Sequence, residues 1–436
     1  MLSRFFLTGI CGLYSLLFIG LSFAATHITD PSGESLDEIL QYAQAGDTIR
    51  FKAGVYSGGS IITQSVHLIG EPGSVFDAQG KGNVLQVRSP DVSIEGFEIR
   101  NSGNNLTKMD AGIFVEKEAV NVEIRNNRFE NNAFGIWLDG CHYPKVIKNR
   151  ISGNVAIRSQ DRGNGIHLYA VYYGLIKDNE VWNTRDGIYI ESSQNNRLIG
   201  NFLHDLRYGV HYMYSYSNTV SNNHTLNTRT GYALMQSKFL TVTGNRSEND
   251  GNYGILLNFI TKSTITDNVI IGTRKGRGYA SGGAGVTGAE GKAFFVYNSH
   301  FNIMTNNHLQ GADIGIHLTA GSEDNIIYGN DFIGNHVQVK YVATRTQEWS
   351  QQGKGNYWSD YLGWDLDADG IGDRPYEPND AVDKLLWRYP LARILLNSPA
   401  IETLRWVQEH FPVLRPQGVR DSYPLMKPGF PQEIDS

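Results

Sequence analysis

Residues 187–223 read Gly187-Ile-Tyr-Ile-Glu-Ser-Ser-Gln-Asn-Asn-Arg-Leu-Ile-Gly-Asn201-Phe-Leu-His-Asp-Leu-Arg-Tyr-Gly209-Val-His-Tyr-Met-Tyr-Ser-Tyr-Ser-Asn-Thr-Val-Ser-Asn-Asn223. A glycine opens each half, apolar residues alternate behind it, and an asparagine follows fourteen residues later. The same unit starts at Gly112, Gly135, Gly165, Gly187, Gly209, Gly231, Gly254, Ala293 and Gly315, at steps of 23, 30, 22, 22, 22, 23, 39 and 22 residues. Its asparagines are Asn126, Asn149, Asn179, Asn201, Asn223, Asn245, Asn268, Asn307 and Asn330. A fixed period with alternating apolar residues fits short strands joined by turns, each coil too small to bury its own face and dependent on its neighbours. Leucine-rich repeats would need helical or Leu-rich convex segments, and propeller blades need about forty residues per repeat. The expected fold is therefore all-β, a right-handed parallel β-helix, with a capping helix at its start and an acidic loop plus short helices at its end. The asparagines are expected to form an internal ladder at a turn, satisfying backbone groups in successive coils. That role, rather than glycosylation, is expected even for the sequons Asn223-His-Thr225 and Asn245-Arg-Ser247.

Outside the repeat, residues 1–24 read as an export signal. Arg4 precedes an apolar run from Phe5 to Phe23, and Ser22 and Ala24 lie at −3 and −1 of a cut before Ala25. A membrane anchor is the alternative, because the run approaches spanning length. Removing the signal takes away Cys11 and leaves Cys141 as the one cysteine, so no internal disulfide is expected. A formal charge of −6 argues against a nucleic-acid partner.

Residues 25–50 are expected to form an N-terminal cap. Within it 35–45 has the pattern of a short amphipathic helix, with Ser35 as N-cap and Glu38 completing a capping box. The β-helix proper is placed at 51–341, with a glycine-rich side loop at 272–292, an acidic loop at 342–380, and an apolar, helix-patterned tail at 381–436. Pro390, Pro399 and Pro412 divide that tail into pieces too short to cross a bilayer.

The register makes the surface searchable. Positions +1 and +3 of each unit should point inward and +2 and +4 outward, so the outer columns contain His211, Met213 and Met235 side by side. Two thioethers and an imidazole are donors suited to Cu(I), which makes this trio a candidate copper site. An apolar and aromatic stripe for a protein partner, with Trp137, Tyr189, Tyr212 and Tyr214 nearby, is the competing reading. In the acidic loop, Asp365, Asp367, Asp369 and Asp373 around Gly370 form a candidate calcium loop, although Tyr376 stands where an EF-hand has glutamate. Glu116, Asp139, Asp186, Glu191 and Arg185 form no compact acid/base pair and read as scattered surface charge. No Gly-x-x-x-x-Gly-Lys-Ser/Thr loop occurs, so any ATP use would belong to another chain.

The segment Arg207-Tyr-Gly-Val-His-Tyr-Met-Tyr-Ser215, the segment Gly355-Asn-Tyr-Trp-Ser-Asp-Tyr361, the coils and the tail together resemble the NosD family over nearly the whole exported chain. The resemblance implies a periplasmic, non-catalytic accessory protein for maturation of nitrous oxide reductase. It would be held at the inner membrane by an ABC permease with its ATPase subunit, and would receive copper from a lipoprotein chaperone. On that view His211, Met213 and Met235 become the preferred Cu(I) docking site and the tail the element that meets the permease. The alternative is an extracytoplasmic polysaccharide lyase, hydrolase or epimerase built on the same coil.

Overall fold

The computed structural model describes residues 24–276, 291–319, 321–341, 345–378, 398–411 and 417–430, together with 382, 385, 389 and 391. The proposed signal and most of the glycine-rich side loop lie outside the described residues. Three parallel sheets of 13, 12 and 13 strands wind about one axis, each strand pairing with its counterpart one coil earlier and one coil later. This is the right-handed parallel β-helix expected from the sequence. One coil runs through a long strand, a turn, and two three-residue strands, as in Tyr208–Met213, Thr219–Ser221 and His224–Leu226. Long strands make up the 12-stranded sheet, hereafter the long-strand sheet. The short strands form the two 13-stranded sheets, beginning at Thr26–Thr29 and at Gly54–Ser57.

The opening glycine of each unit has a steric cause. A Cβ on Gly209 would lie 2.4 Å from Thr225 Cγ2 and 2.7 Å from the carbonyl oxygen of Gly231 in the next coil. Positions +1 and +3 enter the interior, where Ile188, Ile190, Val210, Leu234, Ile255 and Leu257 are fully buried. Burying such a side chain contributes roughly 1.5–3 kcal/mol, and stacking coils bury a continuous apolar column. Tyr212 is one of these inward residues and is fully buried, so it takes no part in the outer aromatic stripe.

Asparagines at the turn between the two short strands form the expected ladder. Asn223 donates from Nδ2 to Asn245 Oδ1 (3.0 Å) and to the Leu198 carbonyl (2.9 Å), and its own Oδ1 accepts from the Asn201 backbone N–H (3.0 Å). The first rung is Asn127, not Asn126. Asn127 N–H donates to Asn149 Oδ1 at 3.0 Å, whereas Asn126 takes the left-handed position before it, at φ 54°. Adjacent asparagines made the register ambiguous by one residue. Asn223 and Asn245 are 1% exposed, which rules out the sequon reading of these side chains.

The solenoid also extends past both boundaries set from the repeat. Strands Thr26–Thr29 and Thr48–Phe51 already belong to the first short-strand sheet, so the cap narrows to the helix Leu36–Ile39 with its Ser35/Glu38 capping box. Leu36, Ile39, Leu40 and Ala43 enter the core there. Beyond Tyr341 the ladder gains another rung at Asn356, and strand Tyr357–Trp358 pairs with Asp331–Ile333. The tail is helical at Pro399–His410. Its later described part, 417–430, is instead a strap that closes the solenoid, with Val419–Arg420 pairing on Gln347–Glu348. Asp421 accepts from Asn356 N–H (2.7 Å) and Trp358 Nε1 (2.8 Å), and Asp331 accepts from the N–H groups of Gly429 and Phe430. No described helix is long and apolar enough to cross a membrane.

Candidate functional site on the long-strand sheet

Met213 and Met235 are register partners in adjacent strands, which puts their Cα atoms about 4.8 Å apart. Both are half-buried, and alternation along Tyr208–Met213 places His211 on the same outer face. His211 is nevertheless 9% exposed, because neighbouring side chains pack against it. The rings of Tyr189 and Tyr208 approach it edge-on at 4.6 and 4.9 Å. Its partner one coil later is Ala233, the smallest residue in the column.

Beneath this group lies a carboxylate that reads, from the sequence, as scattered surface charge. Asp186 is 1% exposed and accepts from Arg207 Nε (2.8 Å) and Nη2 (2.6 Å), and its Oδ2 lies 2.9 Å from His211 Nδ1. Burial opposes its charge, but the hydrogen bonds from His211 and Arg207 outweigh that and hold the carboxyl below its usual range. A carboxylate only accepts, so Nδ1 carries the hydrogen, and in the neutral imidazole Nε2 is the lone-pair nitrogen. The same arrangement orients histidines that bind metals. Arg207 also lies over the Tyr208 ring at 4.4 Å, which ties the Arg207-Tyr-Gly-Val-His211 segment together.

Further along the face, polar atoms are buried without partners. These are Trp137 Nε1, His167 Nε2, Asn258 Oδ1 and His317 Nδ1. Asn258 is the register partner of Met235, so an unmet acceptor borders the methionine pair. Trp137 stacks on His167 at 3.7 Å, and burial drives the His167 and His317 pKa values down to about 3. Those imidazoles stay neutral at any physiological pH, the state a metal ligand requires. Two soft sulfurs and an oriented imidazole fit Cu(I) as cargo, while His167 lies two coils before His211 in the same column and His317 four coils after it.

Elsewhere the candidate residues are arranged differently. Asp365, Asp367 and Asp369 offer oxygens all within 4.8 Å of one another, but Asp373 stands apart and accepts from Leu366 N–H at 2.8 Å. Asp365 accepts from Gly370 N–H at 2.9 Å, which closes the turn. Glu116 is tied to Gln86 and Arg88, and Asp139 is raised by burial and by Glu116 and Glu118. Cys141 is a free, fully buried thiol that burial pushes up to about 12. A cleft of about 390 Å³ beside Glu98, Arg128 and Arg150 lies on the second short-strand sheet, away from His211.

The fold is that of a solenoid protein, with unmet buried polar atoms on its long-strand face as well as at His204, His224 and Thr305 of the short-strand sheets. Solved structures share the coil alone. The pneumococcal surface adhesin PfbA superposes with a TM-score of 0.51 at 12% identity, over 70% of this chain and 93% of that one. The catalytic domain of a GH87 α-1,3-glucanase gives 0.50 at 13% identity, over 73% of this chain and 66% of that one. Residues 73–161 match a model described as right handed beta helix region, and 147–363 match NosD, described as periplasmic copper-binding protein. A probable ABC transporter binding protein NosD of Pseudomonas aeruginosa is 53% identical over 95% of both chains. One from Stutzerimonas stutzeri is 55% identical over 87% of this chain and 86% of its own. This chain belongs to the NosD family. The relatives carry the names of binding proteins, not of enzymes.

Proposed function

We propose that the chain is a periplasmic copper-handling subunit of an ABC transporter-type complex. It accepts Cu(I) from a lipoprotein chaperone and passes it on during maturation of nitrous oxide reductase. The permease and its ATPase subunit hold it at the inner membrane, and ATP is hydrolysed in the partner chain. The observation that carries this reading is the in-register pair Met213 and Met235 beside His211, whose Nδ1 is fixed by Asp186. The family's description as copper-binding and the relatives' naming as ABC transporter binding proteins support it. The chain's own residues bind and orient the ion: thioethers supply soft donation, and Asp186 aims the imidazole.

Cu(I) titration of the exported chain tests the reading. Replacing His211, Met213 and Met235 together by alanine is expected to remove one tightly held equivalent. An unchanged stoichiometry and affinity would eliminate this site. A separate calcium site at Asp365, Asp367 and Asp369 is supported by the convergence of their oxygens. Calorimetric titration with Ca²⁺ should then show one site that Asp367→Asn weakens; absence of heat at millimolar Ca²⁺ would dismiss it.

A further inference from the structure

Six aromatic residues take positive φ among the described residues: Tyr143, Tyr173, Tyr214, Phe239, Phe259 and Phe301, at 48° to 59°. All six lie in the turns that lead from the long-strand sheet into the first short-strand sheet, in two columns five and eight residues after each unit's start. A bulky side chain is disfavoured in that conformation; other coils fill the same columns with Gly140, Asn195 and Asn298, which tolerate it, and with the smaller or unbranched Ala170, Ser192, Ser217, Gln236 and Lys262. The six rings are 45% to 57% exposed, so core burial does not compensate for the strain. Strain kept at exposed aromatic positions on a single edge signals a use for the rings there.

Charge on this edge is equally one-sided. Residues 140–144, 170–174, 192–196, 214–218, 236–240, 259–263 and 298–302 contain no Asp or Glu, in a chain that has 44 of them. The turns at the two ends restore acids, with Glu116 and Glu118 at one and Glu323 and Asp324 at the other. Lys238 lies 5.0 Å from the Tyr216 ring centre and Lys262 lies 5.9 Å from that of Phe239, so these ammonium groups rest on rings. Tyr143 and Tyr173 stack at 5.1 Å. Met213 and Met235 immediately precede this edge in the chain, next to Tyr214 and Gln236.

Aromatic residues and methionine with carboxylates excluded is the composition of a protein–protein interface centre. Lysines without acids favour a negatively charged partner face. The edge is a row of outward turns, and the cleft beside Arg128 and Arg150 lies on another sheet, so it does not present the concave site that a sugar or small molecule would occupy. The geometry points to this aromatic edge as the docking surface for an acidic protein face, that of the protein with which copper is exchanged at Met213 and Met235. The identity of the partner rests on the copper reading above; the surface itself does not.

Surface plasmon resonance with the full exported chain tests it, using two purified copper-free probes separately: nitrous oxide reductase and the soluble part of the lipoprotein chaperone. The variants are Phe239→Asn with Phe259→Asn and Phe301→Asn, and, independently, Lys238→Glu with Lys262→Glu. For one probe at least, each variant is expected to weaken binding tenfold or more, and wild-type binding should weaken with added salt. The asparagine variant should melt at the wild-type temperature or above it, because asparagine suits positive φ better than phenylalanine. Wild-type affinity in both variants for both probes, or competition by uronan oligosaccharides, would overturn the surface. So would a melting temperature lowered by the asparagine changes with binding intact in the charge-reversed variant. Since docking is read without copper, failure of Cu(I) titration with edge-dependent docking retained would remove the copper reading alone, and the reverse result would remove the edge alone.

Discussion

The same coils present two faces that treat their charged side chains differently. On the second short-strand sheet, Arg150 pairs with Glu180 at 2.7 Å, Arg246 with Glu248 at 2.9 Å, and Arg128 with Glu130. The histidines there also stand near acids, His224 at 3.3 Å from Glu248 and His204 at 3.6 Å from Glu180, close enough to pair though not aligned for hydrogen bonds. On the long-strand sheet, His167 and His317 each have a buried ring nitrogen unmet, and His211 rests with Nδ1 on a deep carboxylate. Backbone geometry is shared, so the difference lies in side chains alone. A face that neutralises its own charges leaves little for a ligand, whereas one with an in-register thioether pair beside an oriented imidazole has donors to give.

The hardest test of that contrast is Asp186. Removing one partner from a buried charge group leaves the others uncompensated, so Asp186→Ala is expected to cost about 3–5 kcal/mol in denaturant unfolding, with Arg207 and His211 stranded. A loss under about 1 kcal/mol, the range of exposed pairs, would make the two faces equivalent. Asn223→Ala comes next, at roughly 2–3 kcal/mol. It removes the bonds to Leu198 and Asn245 and orphans the buried Asn201 N–H. Both faces share that rung, so copper binding should survive in whatever fraction of the chain stays folded.

What could be read beforehand, and what could not, follows the range of the interactions. The coil register was legible because the close approach at Gly209 and the amide at Asn223 recur every 22 residues along most of the chain. The pairing of Met213 with Met235 followed from it. Asp186 was misplaced because its burial depends on Arg207, one coil away, whose guanidinium takes up both carboxylate oxygens. The closing strap was missed for a similar reason: Asp421 completes the ladder at Asn356 across 65 residues, with no periodicity to announce it. Asp250 was also silent, an acid inside a row of neutral turn residues.

That acid provides a pH test of the satisfied interior. Burial pushes Asp250 up to about 6 despite hydrogen bonds from Ser247, Thr228 and Thr225. The folded chain thus holds this proton more tightly than the unfolded chain. The associated stability is complete below about pH 4 and is lost as pH rises through 6, about 3 kcal/mol over two units. Asp250→Asn keeps the shape without the charge. The difference in unfolding free energy between variant and wild type should therefore grow in favour of the variant from pH 4 to 7. A constant difference across that window would mean that Asp250 ionises freely and that the interior is wetter than its 0% exposure indicates.

The smallest expected effect is on the self-neutralised face. Arg150 is 60% exposed and Glu180 31%, so water and salt screen the pair, and Arg150→Ala should cost about 0.2–1 kcal/mol. Part of that comes from the Trp182 ring, whose centre lies 5.6 Å from the guanidinium. The informative quantity is a double-mutant cycle with Glu180→Gln, repeated at low and high ionic strength. A coupling that fades with salt marks a surface whose charges serve solubility and register, and Cu(I) binding at the opposite face should not respond to it. A coupling above about 2 kcal/mol that salt leaves untouched would show this pair to be bound as tightly as Asp186 and Arg207. Burial depth would then not separate the two faces, since a pair 60% and 31% exposed would be held as tightly as one whose carboxylate is 1% exposed.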